Sequence, residues 1–259
     1  MNFEKILVAL TCVTGVIWFI NKFINKHESN PIVIKDQQSG VVEFVEYVAS
    51  FFVIFLIVLL FRTFLFEGYR IPSGSMKPTL VEGDFILVKK YQYGLRLPIN
   101  HKKIFPVGEV KCGDVIIFWQ EKSKKILIKR VIGLPGDHVV YKDQNLYVNS
   151  ILIKTENMGF TDDDNKSVNR KKEFLNSVEH EIYLNPHDFR RYPFDDIVVG
   201  KNSYFVLGDN RSNSADSRFE GLISDDDVLG KASVIYFSVD WINWFNWVFR
   251  FDRFFTKIN

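Results

Sequence analysis

At 259 residues, 47% of them apolar, the chain can bury one large or two small cores and still supply membrane segments. Its net charge of +2, from Lys+Arg 33 against Asp+Glu 31, argues against a binder driven by neutralising nucleic-acid phosphates. Its two cysteines, Cys12 and Cys112, make neither a disulfide framework nor a Cys/His cluster suited to zinc.

The first apolar run covers residues 6–20, interrupted mildly by Thr11, Thr14 and Gly15, and Phe23 and Ile24 extend it. No small-residue cleavage site follows, because Asn21-Lys22-Phe23 is a poor exit, so an uncleaved span is expected. The second run, residues 47–66, carries one charge, Arg62, which lies a turn from the end and can snorkel to the interface. Its length matches the hydrocarbon thickness of a bilayer. Lys22, Lys26 and Lys35 place the intervening loop in the cytoplasm despite Glu28, Asp36, Glu43 and Glu46, because acids contribute little to that rule. Residues 1–66 thus read as an anchor with spans at about 5–24 and 46–66, and everything later is exported.

About four residues past the second run comes Arg70-Ile71-Pro72-Ser73-Gly74-Ser75-Met76-Lys77-Pro78-Thr79-Leu80. Two serines share a Gly-containing turn fenced by two prolines. A serine on such a turn can offer its hydroxyl and its own backbone N–H to one carbonyl. Lys77 reads as a solvated neighbour. A Ser-x-x-Lys site would need lysine at 76 or 78, where Met76 and Pro78 stand.

The pattern then turns to short β-like runs bounded by Gly-Asp and Pro-Gly-Asp turns. They include Phe85-Ile86-Leu87-Val88, Val115-Ile116-Ile117-Phe118, His138-Val139-Val140-Tyr141 and Tyr204-Phe205-Val206-Leu207. Among them lies Ile128-Lys129-Arg130-Val131-Ile132, a lysine inside an apolar strand pattern. Alternation puts Lys129 on one face with Leu127 and Val131, and Arg130 on the other. A serine lacking a base and a lysine stripped of water would make a Ser-Lys dyad at a membrane surface. The expected fold is mostly β: an antiparallel β-sheet catalytic domain of residues 67–153 and 203–259, tethered by two N-terminal transmembrane helices. Residues 154–202, with runs such as Asp162-Asp163-Asp164-Asn165-Lys166, read as a polar insertion subdomain whose charges form a solvated face. The aromatic stretch 241–255 suits either a membrane interface or packing on the core.

Taken together, these boxes resemble bacterial signal peptidase I (leader peptidase) of the two-span Gram-negative type. The resemblance rests on the second span, the 71–80 turn, Gly83-Asp84-Phe85-Ile86-Leu87-Val88, Lys129-Arg130-Val131-Ile132-Gly133-Leu134-Pro135-Gly136-Asp137, and Gly208-Asp209-Asn210-Arg211-Ser212-Asn213-Ser214-Ala215-Asp216-Ser217-Arg218, in that order. It implies Ser75 as nucleophile and Lys129 as general base. It implies Ser73 and the Ser75 N–H as the oxyanion hole, and Ser214 as the serine that orients the lysine. Arg130, Asp209, Asp216 and Arg218 match the charged residues that brace the site. Ile71, Pro72, Met76, Leu80 and Ile128 match the walls of shallow substrate pockets. Two departures from the family pattern are Leu127, where tyrosine is frequent, and Ser212, where an acid is frequent.

The implied activity is removal of N-terminal signal peptides from exported preproteins after small residues, in Ala-x-Ala-like contexts. The implied location is the bacterial inner membrane, multi-pass, with the catalytic domain on the periplasmic side. Expected partners are preprotein signal peptides, membrane lipid and the secretion translocon; no nucleic acid, metal or cofactor is implied. Of the rivals, a self-cleaving repressor-type Ser-Lys protease conflicts with two spans. A Ser-His-Asp triad through His138 has no supporting motif. A non-catalytic membrane-tethered β module scaffolding secretion partners would need neither Ser75 nor Lys129.

Overall fold

The computed structural model describes residues 2–27, 40–99, 102–163, 166–188, 190–243 and 246–259. Glu28, Lys35 and Asp36 of the expected cytoplasmic loop, Asp164 and Asn165 of the acidic run, and Trp244 and Phe245 of the aromatic stretch lie outside those residues. The chain divides into two compact units: residues 1–65 with 96–102, and residues 66–95 with 103–259.

The first unit holds two helices, α1 (Asn2–His27) and α2 (Gly40–Leu60), the latter continuing as a π turn over Phe61–Leu65. Segments Phe3–Phe23 and Phe44–Leu65 are long and apolar enough to cross a membrane, with mean hydropathies of 1.9 and 2.6. The hydroxyls in α1 are satisfied internally: Thr11 Oγ1 donates to Leu7 O and Thr14 Oγ1 to Leu10 O, each at 2.7 Å. Gly15 lets the helices close up, since a Cβ there would meet the Phe52 ring at 2.9 Å. Trp18 packs beside it, its ring 5.4 Å from that of Phe52. Arg62 lies over the Phe3 ring at 4.5 Å. Phe66, expected as the last residue of the second run, instead begins a strand.

The second unit is mostly β, as the short apolar runs and turn signals require. Its main sheet is antiparallel. In spatial order it runs Phe66–Arg70, Asp84–Lys89, Val228–Asn243, Val115–Gln120, Lys125–Gly133, Ser203–Leu207 and Ile223–Ser224. The Lys125–Gly133 strand is central, with Ile116 opposite Lys129 on one side and Val206 opposite Val131 on the other. Its two faces feed different cores. Ile128 packs with Met76, Leu80, Val115 and Ile117, while Leu127 and Val131 pack with Ile116, Phe118 and Val206. Apart from the partly buried Leu127, each of these buried aliphatics contributes roughly 1.5–3 kcal/mol, which holds the backbone around Lys129 in place.

Residues 154–202 build a three-stranded antiparallel ribbon, Thr155–Asp163, Lys166–Leu175 and Val178–Leu184. It is not solvated throughout. Alternate side chains His180, Ile182 and Leu184 are buried, as are Glu173 opposite His180 and Leu175 opposite Val178. Leu175 joins a third core with Ile132, Val139, Phe205 and Leu207. Further on, Asp196–Val198 pairs with His138–Lys142. The aromatic stretch both packs and stays exposed. Phe237 contacts the rings of Phe249 and Phe254 at 5.7 and 5.2 Å, whereas Trp247, Phe251 and Phe255 remain open.

Candidate active site

Between the paired strands Phe66–Arg70 and Asp84–Lys89 the chain makes one excursion, closed by Ile71 N donating to Asp84 O and Gly83 N to Ile71 O. Its only regular piece is a single 3₁₀ turn, Gly74–Met76. Lys77 N donates to Gly74 O at 3.1 Å and Leu80 N to Met76 O at 2.9 Å. Pro72 and Pro78 bracket the turn, the Lys77–Pro78 peptide being cis. Met76 and Leu80, both 0% exposed, pin it into the core, leaving Ser75 half-buried above them. Ser73 stands extended and exposed just before the turn, and its side chain caps nothing.

Lys129 meets this turn from the central strand. Its Nζ lies 2.7 Å from Ser75 Oγ and 3.0 Å from Ile128 O, and the residue is 3% exposed. Burial pushes the ammonium down to about 8; Asp216 and Asp209 oppose the shift and Arg218 assists it. The result is an amine that is neutral in part of the protein at neutral pH, in contact with one hydroxyl. Such a pair can move a proton from oxygen to nitrogen as the oxygen attacks an electrophile.

Among the described residues, three arginine–carboxylate pairs are fully buried, and two of them act electrostatically on Lys129. Arg130 grips Asp209 through Nε–Oδ1 and Nη2–Oδ2, both 2.8 Å, and its Nη1 donates to Gly113 O and Asn259 O. Arg218 grips Asp216 in the same two-pronged way, and Asp216 also accepts from Gly208 N at 3.0 Å. Arg211 binds both oxygens of Glu173. Burial alone would raise these carboxyls. The arginines more than offset it, holding Asp209 and Asp216 below the usual range and Glu173 at about 2. His180 Nε2 lies 3.2 Å from Glu173 and 3.7 Å from Asp209, and burial and Arg130 push its pKa down. Because Asp209 and Asp216 are each held by an arginine, neither pairs directly with Lys129 to keep it charged.

The residues singled out from sequence thus converge, with differences of detail. Ser214 is buried beside the turn, but among the described residues its Oγ makes no close hydrogen bond to Lys129. It stands near enough to Asp216 to help hold that carboxyl low. Ile71 and Ile128 are nearly buried and Pro72 is exposed, whereas Met76 and Leu80 present no surface and support the site from beneath. Lys77 is not a solvated neighbour: its Nζ pairs with Asp163 of the ribbon at 2.8 Å. Ser212, where a charge was absent, accepts from Asn185 N at 2.8 Å.

Sequence reasoning missed Gly208, Thr79, Asn210, Arg211, Glu173 and His180. A Cβ at Gly208 would stand 2.3 Å from Ser214 Oγ and 2.4 Å from Ser75 O, so only glycine fits against Ser75. Thr79 Oγ1 donates to Asp209, and Asn210 N donates to Ser75 O at 3.1 Å. Glu173 and His180 face each other in ribbon register. The alternation His180-Glu181-Ile182-Tyr183-Leu184 was the available signal that this face is buried.

Comparison with known proteins points one way. The family described as Signal peptidase, peptidase S26, matches residues 44–237. The chain is 41% identical over 212 residues to Signal peptidase I of Pseudomonas fluorescens, covering 77% of this chain and 73% of that one. It is 36% identical to Signal peptidase I of Pseudomonas aeruginosa over 94% of this chain and 93% of its relative. Among solved structures, a signal peptidase I from Enterococcus faecalis matches 48% of this chain and 97% of its own, at 27% identity and a TM-score of 0.30.

Proposed function

The chain belongs to the signal peptidase family, peptidase S26, and on that premise we propose that it is a membrane-bound serine endopeptidase with Ser75 as nucleophile and Lys129 as base. The observation that carries this reading is the 2.7 Å contact between Lys129 Nζ and Ser75 Oγ, with the amine out of water. The neutral amine takes the Ser75 proton as Oγ attacks the scissile carbonyl carbon. The Ser75 N–H and the Ser73 hydroxyl receive the developing oxyanion. The Lys129 ammonium returns its proton to the leaving amine, and the peptide C–N bond breaks to leave an ester on Ser75. Water then attacks that ester, giving its proton to Lys129, and the ester C–Oγ bond breaks as Lys129 passes that proton to Ser75 Oγ, releasing the acid product and regenerating the neutral amine. Ser214 and the pairs Arg130–Asp209 and Arg218–Asp216 hold these groups in place.

The substrate is an exported preprotein whose N-terminal signal peptide is cut after small residues in an Ala-x-Ala-like context. Ile71, Pro72 and Ile128 shape the shallow walls against which those residues lie, with Met76 and Leu80 behind them. Residues 67–153 and 203–259 form the catalytic domain, and 154–202 an insertion within it. This body works on the periplasmic face of the bacterial inner membrane, alongside the translocon. Only nine positions separate Phe66 from Ser75, so the nucleophile stays near the lipid. The exposed rings of Trp247, Phe251 and Phe255 suit contact with headgroups. The test is cleavage of a purified preprotein by wild type, Ser75→Ala and Lys129→Met. Both variants should lose processing while remaining folded; retained cleavage by Ser75→Ala would refute the nucleophile assignment, and no cleavage by wild type would favour a non-catalytic tethered module.

A further inference from the structure

One side chain of the 154–202 ribbon reaches the nucleophile turn. Asp163, at the end of the Thr155–Asp163 strand, places Oδ1 2.8 Å from Lys77 Nζ and accepts from Asn210 Nδ2 through Oδ2 at 3.2 Å. The Lys77 and Asp163 side chains are 11% and 12% exposed, so the pair sits largely out of water. Both partners of this carboxylate hold the same backbone oxygen. Asn210 Nδ2 also donates to Gly74 O at 3.2 Å, and Lys77 N donates to it at 3.1 Å. The Lys77 stem lies across Gly74, where an added Cβ would meet Lys77 Cε at 2.9 Å. On the other side of the nucleophile, Asn210 N donates to Ser75 O at 3.1 Å.

Peptide geometry converts this clamp into an aim. Gly74 O and the Ser75 N–H belong to one trans peptide plane and point in opposite directions. Holding the carbonyl from one side therefore fixes where the N–H points. We infer that Asp163 is a positioning residue for the Ser75 N–H, acting through Asn210 and Lys77, and that the insertion serves to deliver this carboxylate to the nucleophile turn. The inference rests on the reading of Ser75 as nucleophile and backbone oxyanion donor. An N–H held in direction before the reaction stabilises the oxyanion without reorganising, whereas one free to swing does not.

The test uses the full chain in detergent micelles with a preprotein substrate, and a substrate-like peptide aldehyde whose serine adduct carries the same oxyanion. Asp163→Ala should lower kcat by about 10–100-fold. It should leave KM within about twofold and weaken the aldehyde by the same factor as kcat. Asp163→Asn keeps an acceptor for Asn210 and should recover most of both losses. Lys77→Met removes the other arm and should fall in between, with no further loss when added to Asp163→Ala beyond that of a shared clamp. Unchanged kcat and aldehyde affinity in Asp163→Ala overturns the inference, as does a loss that follows a lowered melting temperature and is not rescued in Asp163→Asn. If Ser75→Ala is inactive while Asp163→Ala is fully active, only this inference falls. Cleavage persisting in Ser75→Ala removes the nucleophile reading and this one together.

Discussion

Lys129 makes opposite demands on activity and stability, and pH separates them. Burial holds its pKa at about 8, against 10.5 for a free lysine. Its neutral fraction is then about 9% at pH 7 and about 91% at pH 9, so kcat/KM should rise about tenfold over that interval and be half-maximal near pH 8. An unburied lysine would be only about 0.03% neutral at pH 7, and activity would still be climbing past pH 10. The folded pKa is depressed, so between about 8 and 10.5 the unfolded chain binds the proton and the folded chain does not, and stability rises with pH. Below pH 8 that contribution is fully lost, a deficit of about 3 kcal/mol relative to a neutral side chain. Lys129→Met keeps the stem without the amine, so it should abolish cleavage yet be more stable than wild type at pH 7. That advantage should vanish as pH approaches 10.5. Cleavage kinetics from pH 6 to 10, with melting of both proteins across the same range, measure both halves. A flat pH–rate profile with an unchanged melting difference would refute the assignment of Lys129 as a desolvated base.

Three further outcomes follow from the geometry. Gly208→Ala drives a methyl into Ser214 Oγ and Ser75 O; it should cost roughly 1–3 kcal/mol in melting and about 10²-fold in kcat, read by calorimetry and single-turnover cleavage. Glu173→Gln strands the buried Arg211 guanidinium and should cost about 3–5 kcal/mol at pH 7. Because Glu173 is depressed to about 2 from 4.5, its contribution is present above 4.5 and lost as pH falls through 2, so the deficit of Glu173→Gln should narrow over that window in acid melts. Burial pushes the Cys112 thiol up to about 11, so alkylation at pH 8 should be slow in the folded protein and fast after unfolding, as counted by mass spectrometry.

Much of the site was legible where chemistry is local. Pro72, Gly74 and Pro78 constrain the backbone around Ser75 through their own dihedral limits, so the turn could be read from a dozen residues. The two apolar runs announce themselves because bilayer thickness sets a length. The apolar neighbours of Lys129 foretell a dry lysine, since strand alternation is a property of the backbone alone. Lys77 and the charge runs of the insertion misled for the converse reason. A lysine or aspartate carries no local sign of whether a distant partner will take it out of water, and here Asp163 and Lys77 found each other across 86 positions.

From sequence alone came the two helices long and apolar enough to cross a membrane, the strand-rich body, the serine turn and the lysine's apolar setting, because each depends on near neighbours. Tertiary structure decided that Lys129 meets Ser75 across 54 positions and that Arg130 is neutralised by Asp209. It also decided that Arg211 is answered by a glutamate from the ribbon, and that Gly208 leaves no room for a methyl behind Ser75. Burying a charge or closing a gap to 2.7 Å depends on which strands become neighbours, and that is settled only when the whole sheet assembles.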